Sequence, residues 1–145
     1  MAETLGSLCD KLTVVKLKQY HSEDEERLSS LQQQQKQLID EIEEFVSDAV
    51  NGLIPINRLT FKANKVYNEK NNEVPAVKGT IGTVFGKLAE VNCLLWHEQE
   101  KVYDFESVAP EQKDKLVKQL AILNLERMRC IDEIDSIFLQ LIKER

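Results

Sequence analysis

The chain has 145 residues, 42% of them hydrophobic and 30% charged, with a formal net charge of −6. That length fits a single domain, residues 1–145, large enough to bury a core. The acidic balance argues against sequence-independent nucleic-acid binding, which needs a strongly basic face, and no stretch approaches the ~20 apolar residues of a membrane span.

The start, Met1-Ala2-Glu3-Thr4, has neither a basic n-region nor an apolar run, so no export leader is expected. Residues 4–50 contain no Pro, and Gly6 is their one Gly. Leu5, Leu8, Leu12 and Val15 form one apolar stripe. Val14, Leu17, His21, Asp24, Leu28, Leu31, Gln35, Leu38, Ile42, Phe45 and Ala49 form a second, stepping by threes and fours, the spacing of one helix face. Taken literally, this is one unbroken helix that needs a partner chain. A competing signal sits in its middle. Ser22 and Glu25 make a capping box, with Glu23 and Asp24 supplying the acidic first turn of a new helix.

Residues 51–79 read as an irregular connector. Asn51-Gly52 is a helix C-cap. Pro55 and Pro75 interrupt regular structure, and Asn68, Asn71, Asn72 and Gly79 supply turn chemistry. Leu59, Phe61, Val66 and Tyr67 are apolar enough to dock on a bundle, with one short helix expected near 57–64. Arg58, Lys62, Lys65, Lys70 and Lys78 make this stretch locally basic.

Residues 80–105 read as a helix capped by Thr80 or Thr83, with Ile81, Val84, Phe85, Leu88, Val91, Leu95 and Trp96 on one broad face. Trp96 is expected to be largely buried. Ser107-Val108-Ala109-Pro110 turns the chain, with Pro110 in the first turn of the last helix, 110–143. That helix carries two adjacent apolar seams, as a helix with two neighbours in a four-helix bundle does.

The two halves repeat. Thr4-Leu5-Gly6-Ser7-Leu8, Lys11, Leu12, Val15 and Tyr20-His21 are answered at an offset of 76 by Thr80-Ile81-Gly82-Thr83-Val84, Lys87, Leu88, Val91 and Trp96-His97. Leu28, Leu31 and Ile39-Asp40-Glu41-Ile42 are answered at an offset of 92 by Leu120, Leu123 and Ile131-Asp132-Glu133-Ile134. Removing about eight residues, roughly two turns, from each arm of the second unit yields the first. We therefore favour duplicated helical hairpins, 4–50 and 80–143, over a continuous first helix. The fold expected is all-α, an antiparallel four-helix bundle with Lys11 near Glu41 and Lys87 near Glu133.

Cys9, Cys93 and Cys130 lie in helical patterns without metal spacing and are expected as buried, reduced thiols of a cytoplasmic protein. The two histidines, His21 and His97, each have an acidic residue three later, Asp24 and Glu100. The sharp reading is a metal site from His21, Asp24, His97 and Glu100. The bland one is a pair of histidines packed beside aromatics. Asn92, His97, Glu100, Asn124 and Arg127 interrupt apolar helix at one level and form a candidate ligand-binding layer. Arg127 lies on the seam and needs a carboxylate partner, for which Glu100 and Glu90 are nearest in register. No phosphate loop, nucleophile elbow or zinc spacing is present, so no catalytic residues and no cofactor are assigned.

Leu95-Trp96-His97-Glu98-Gln99-Glu100-Lys101, then Leu123-Asn124-Leu125-Glu126-Arg127 and Ile131-Asp132-Glu133-Ile134-Asp135, resemble an uncharacterised bacterial family of all-helical domains. The likeness covers about residues 84–140 and departs in the connector and in the first copy, where Gln32 and Gln35 stand for the Asn and Arg. It implies a bacterial, cytoplasmic, all-α protein and brings no activity. The expectation for function is a non-catalytic helical interaction or oligomerisation protein with a homo-oligomeric or protein partner. The alternative is a metal- or small-ligand-binding bundle, enzymatic or not, built on the layer around His97.

Overall fold

The computed structural model describes residues 2–61 and 77–145. Four helices follow one another: α1, Leu5–Tyr20; α2, Glu25–Val50; α3, Ile81–Tyr103; and α4, Pro110–Lys143. No strand occurs among the described residues, and none of their helices is long and apolar enough to cross a membrane.

Residues 4–50 are a hairpin, not one helix. Thr4 starts α1 with a reciprocal capping box: its Oγ1 accepts from the Ser7 amide, and the Ser7 hydroxyl accepts from the Thr4 amide. The break at residues 21–24 uses a cap other than the one expected. Asp24, not Ser22, is the N-cap of α2 and accepts from the Glu26 amide at 3.0 Å. Glu25 is thereby the first helical residue, too early to reach back as a capping-box partner, and its charge favours the helix N-terminus. Asn51 and Gly52 end α2 as expected. Gly52 has φ +74°, and the Leu53 amide donates to Asp48 O at 2.8 Å, a six-to-one closure that a left-handed glycine permits.

Of the helix expected over 57–64, positions 62–64 lie outside the described residues and residues 59–61 do not continue it; among the described residues it is a single 3-10 turn, Ile56–Arg58. Pro55 fixes its entry, and Leu59 immediately after it is 1% exposed and anchors the connector in the core. Val66, Tyr67, Lys62, Lys65 and Lys70 lie outside the described residues. The second hairpin follows expectation: Thr80 caps α3, a 3-10 turn at Phe105–Ser107 reverses the chain, and Pro110 opens α4.

The helices within each hairpin run antiparallel, and α1 packs against α2, α3 and α4. One core cluster joins Leu5 and Cys9 of α1, Ala49 of α2, Val84 and Leu88 of α3, and Cys130, Ile134 and Phe138 of α4. Full burial of side chains such as Leu88 and Ile134 stabilises by about 2–3 kcal/mol each. Phe45 of α2 meets Phe138 with ring centroids 6.2 Å apart. A smaller cluster of Val91, Leu95 and Leu123 lies further along α3 and α4.

Close approach of α1 to α4 depends on Gly6. Its amide donates to Asp135 Oδ1 at 2.7 Å. A Cβ there would sit 2.5 Å from Ile131 O and 2.9 Å from Asp135 Oδ1. The free amides at the start of α1 attract this carboxylate. The 34 residues of α4 span about 51 Å and the 16 of α1 about 24 Å. His21, just past the end of α1, stacks on Trp96, and α3 runs seven residues on to Tyr103, so the second hairpin projects about 10 Å beyond the end of α1 as a two-helix arm.

Candidate functional site

A polar layer crosses the bundle, with Asp10 at its centre. Asp10 and Asn92 are buried, and Arg127 is half-buried. Arg127 Nε donates to Asp10 Oδ1 at 2.8 Å and Nη2 to Oδ2 at 2.6 Å. Asn92 Nδ2 donates to Asp10 Oδ1 at 3.0 Å and to Thr13 Oγ1 at 2.7 Å. The Thr13 hydroxyl donates to Asp10 O at 2.7 Å. Three charge-assisted or polar donors thus engage both carboxylate oxygens, the arrangement that lets a buried charge persist. Hydrogen bonding to Asp10 holds the Arg127 guanidinium above its ordinary value, and burial opposes that only in part.

This layer differs from the one expected. Asn92 and Arg127 do meet, but on Asp10, and Arg127 pairs with neither Glu100 nor Glu90. His97, Glu100 and Asn124 are exposed and stand apart from it. Asp10 is hard to pick out in the sequence because it flanks the apolar stripe of α1 and the residue 76 positions later is Gly86. The signal was present in another form, since a seam arginine requires a buried carboxylate and Asp10 is the acid beside the Leu8-Cys9 pair.

The four residues considered for a metal are occupied separately. His21 stacks on Trp96, ring centroids 4.7 Å apart and planes at 11°. Trp96 Nε1 donates to Glu100 Oε1 at 2.9 Å. Asp24 caps α2, and His97 is exposed. Among the described residues no group of three or more His, Cys, Asp and Glu is placed to hold a metal ion. Trp96 is half-buried, not enclosed: α1 ends at Tyr20, and His21 stacks on its ring.

Two further surfaces adjoin the layer. A groove of about 540 Å³ runs between α1 and α2, lined in part by Lys11, Lys18, Gln37, Glu41 and Arg127. Lys11 pairs with Glu3, and Lys87 with Glu90 at 3.8 Å; these replace the expected pairings with Glu41 and Glu133, although Lys11 and Glu41 do share the groove. The other surface is the arm, where Tyr103 is 92% exposed and Val117 58%. The thiols divide. Cys9 and Cys130 are buried, whereas Cys93 is exposed on α3. Burial, then the carboxylates of Asp135 and Asp10, push Cys9 up to about 12. Burial pushes Cys130 up to about 11, with Lys87 opposing. Neither is a ready nucleophile.

Comparison with family models, with curated proteins and with solved structures finds no match.

Proposed function

We propose that this chain is a non-catalytic helical interaction protein that works by homo-oligomerisation or by docking a protein partner. The observation that carries this reading is the projecting arm. Its apolar and aromatic side chains, Tyr103 of α3 and Val117 of α4 above all, are open to solvent, and large exposed apolar groups brought together on one surface mark association sites. The polar layer supports the same reading, because a saturated buried ion network specifies which helices pair.

The duplication belongs to this proposal. Thr4 and Thr80 are both N-caps, and the repeat pairs Leu8 with Val84, Val15 with Val91 and Leu31 with Leu123 are buried in both members. A duplicated hairpin is a natural building block of a symmetric assembly. Three unpaired thiols support a reducing, cytoplasmic setting. The bacterial family resemblance rests on its residues alone.

One observation favours a second reading, a small-ligand site. The groove between α1 and α2 places Lys11, Lys18 and Arg127 beside one opening, with Glu3 and Glu41 also on its lining. In this mixed-charge setting Lys11 and Arg127 are engaged by Glu3 and Asp10, and Lys18 is the cation for a small anionic ligand to meet. Its centre is Arg127 and the α1 lysines, not His97.

Sedimentation equilibrium of the purified chain from micromolar concentration upward tests the leading reading. A mass rising with concentration is expected. A strict monomer whose thermal transition shifts with small anions overturns it in favour of the groove.

A further inference from the structure

The face of the second hairpin that holds α1 does not stop where α1 stops. On α3 it runs from Asn92, bonded to Asp10, through Trp96 to Tyr103, in steps of four and seven. On α4 it runs back from Arg127 through Asn124, Leu120 and Val117, in steps of three and four. Such spacings keep residues on one helix face. The stripes that grip α1 at Asn92 and Arg127 therefore continue past its last residue, Tyr20. Tyr20 is 85% exposed, Tyr103 92% and Val117 58%. The uncovered ledge extends about 10 Å along α3, the rise of the seven residues from Trp96 to Tyr103.

We infer that a second copy of this chain occupies the ledge, its own arm laid antiparallel against it across a twofold axis. This rests on the association reading above and names its surface. Two features select a second copy over an unrelated helix. First, the ledge is a two-helix groove already shaped to take helices, and two such arms face to face complete a four-helix bundle. Second, its charges are self-complementary. Glu100 lies one turn beyond Trp96 on the α3 stripe, and Lys113 one turn before Val117 on the α4 stripe. Both stand at the solvent edge: Glu100 holds the Trp96 indole N–H, and Lys113 lies 4.9 Å over the Phe105 ring. A twofold axis across the arms brings Glu100 of one copy toward Lys113 of the other, twice, as isologous contacts require. The tip of each arm then abuts Tyr20 of the other copy. An overlap this short falls at the small end of specific interfaces, so the dimer forms with rising concentration.

Sedimentation velocity across a concentration series, with the emission of Trp96 read on the same samples, tests the proposal. Trp96 is the one tryptophan of the chain and sits at the root of the ledge. The wild type is expected to pass from monomer to dimer while Trp96 emission changes in step. Tyr103→Glu and Val117→Glu should each weaken the dimer by about thirtyfold or more, with the far-ultraviolet spectrum unchanged because both sites are exposed. Glu100→Lys and Lys113→Glu should each weaken it, and the two together should restore it. Leu53→Glu, an exposed site outside the arm, should leave it intact. A dimer that ignores the arm variants, or that Leu53→Glu disrupts, overturns the placement and leaves the association reading standing. A wild type monomeric at every concentration overturns both.

Discussion

Asp10 and Arg127 stand 117 residues apart in sequence and meet edge to edge, with Nε–Oδ1 at 2.8 Å and Nη2–Oδ2 at 2.6 Å. This one pair connects the first helix to the last and orients Asn92 of the third. Its carboxylate is closed off, at 7% exposure, and its guanidinium keeps an open edge, at 33%.

That asymmetry sets the expected cost of breaking it. Breaking a fully buried pair from one side costs about 3–5 kcal/mol, and an exposed pair contributes less than about 1 kcal/mol. Arg127→Ala should fall between, near 2–3 kcal/mol in urea denaturation. Arg127→Met keeps the stem but strands the Asp10 carboxylate, so it should be nearly as damaging. Adding Asp10→Asn to Arg127→Met should recover most of the loss. A cost for Arg127→Ala below about 0.5 kcal/mol would show that the pair is solvated.

Two glycine substitutions should move stability in opposite directions. Gly6→Ala drives a methyl to 2.5 Å from the Ile131 carbonyl oxygen and should cost about 2–3 kcal/mol through overpacking. Gly86→Ala meets nothing within 4 Å in the middle of α3, and should stabilise by about 0.5–1 kcal/mol through helix propensity. Thermal unfolding of both variants checks the pair, and equal effects would contradict the close approach of α1 to α4.

The thiols should react at separate rates. Cys93 should be modified by an aromatic disulfide reagent at neutral pH as an ordinary exposed thiol. Cys9, held up at about 12, and Cys130, at about 11, should react only as the protein unfolds. Cys93→Ser should remove the fast phase and nothing else.

Glu3 should leave a small acid signature. Burial alone would raise its carboxyl, but hydrogen bonds from Lys11 and Ser7 outweigh burial and lower it from 4.5. A lowered folded value means the stabilisation is complete above the unfolded value and is lost as pH falls through the folded one. Glu3→Gln should therefore cost up to about 1 kcal/mol at neutral pH, and the difference should shrink as pH falls through the lowered folded value. A difference that persists in acid would assign the effect to packing.

The fold was legible where local chemistry acts alone. Threes-and-fours spacing, Thr4, Thr80, Gly52 and Pro110 each carry a helix or its boundary in a few neighbouring residues. The break near residue 22 was legible too, but its cap was not, because Ser22 and Asp24 are both good N-caps and the hairpin geometry chooses between them. The polar layer was half legible. A seam arginine announces that a carboxylate exists without saying which, and register arguments within one hairpin pointed to Glu100 while the partner came from the other hairpin. His21 and His97 share a sequence setting, an aromatic before and an acid three residues after, yet one stacks on Trp96 and the other stands in solvent. The place where α1 ends, at Tyr20, decides that, and no local pattern encodes it.

The contacts that seat α1 bear on how the chain is made. Asp10 waits for Arg127, and Gly6 for Asp135, while Leu5 and Cys9 wait for α3 and α4 to seal them. Synthesis proceeds from the N-terminus, so the first hairpin emerges with an unpaired carboxylate on an open apolar face. These contacts of α1 can close only once α4 is available. Contacts of such sequence separation slow folding relative to a bundle built from neighbours alone, and a nascent chain stalled within α3 presents Leu5, Cys9 and Asp10 to whatever chaperone is at hand.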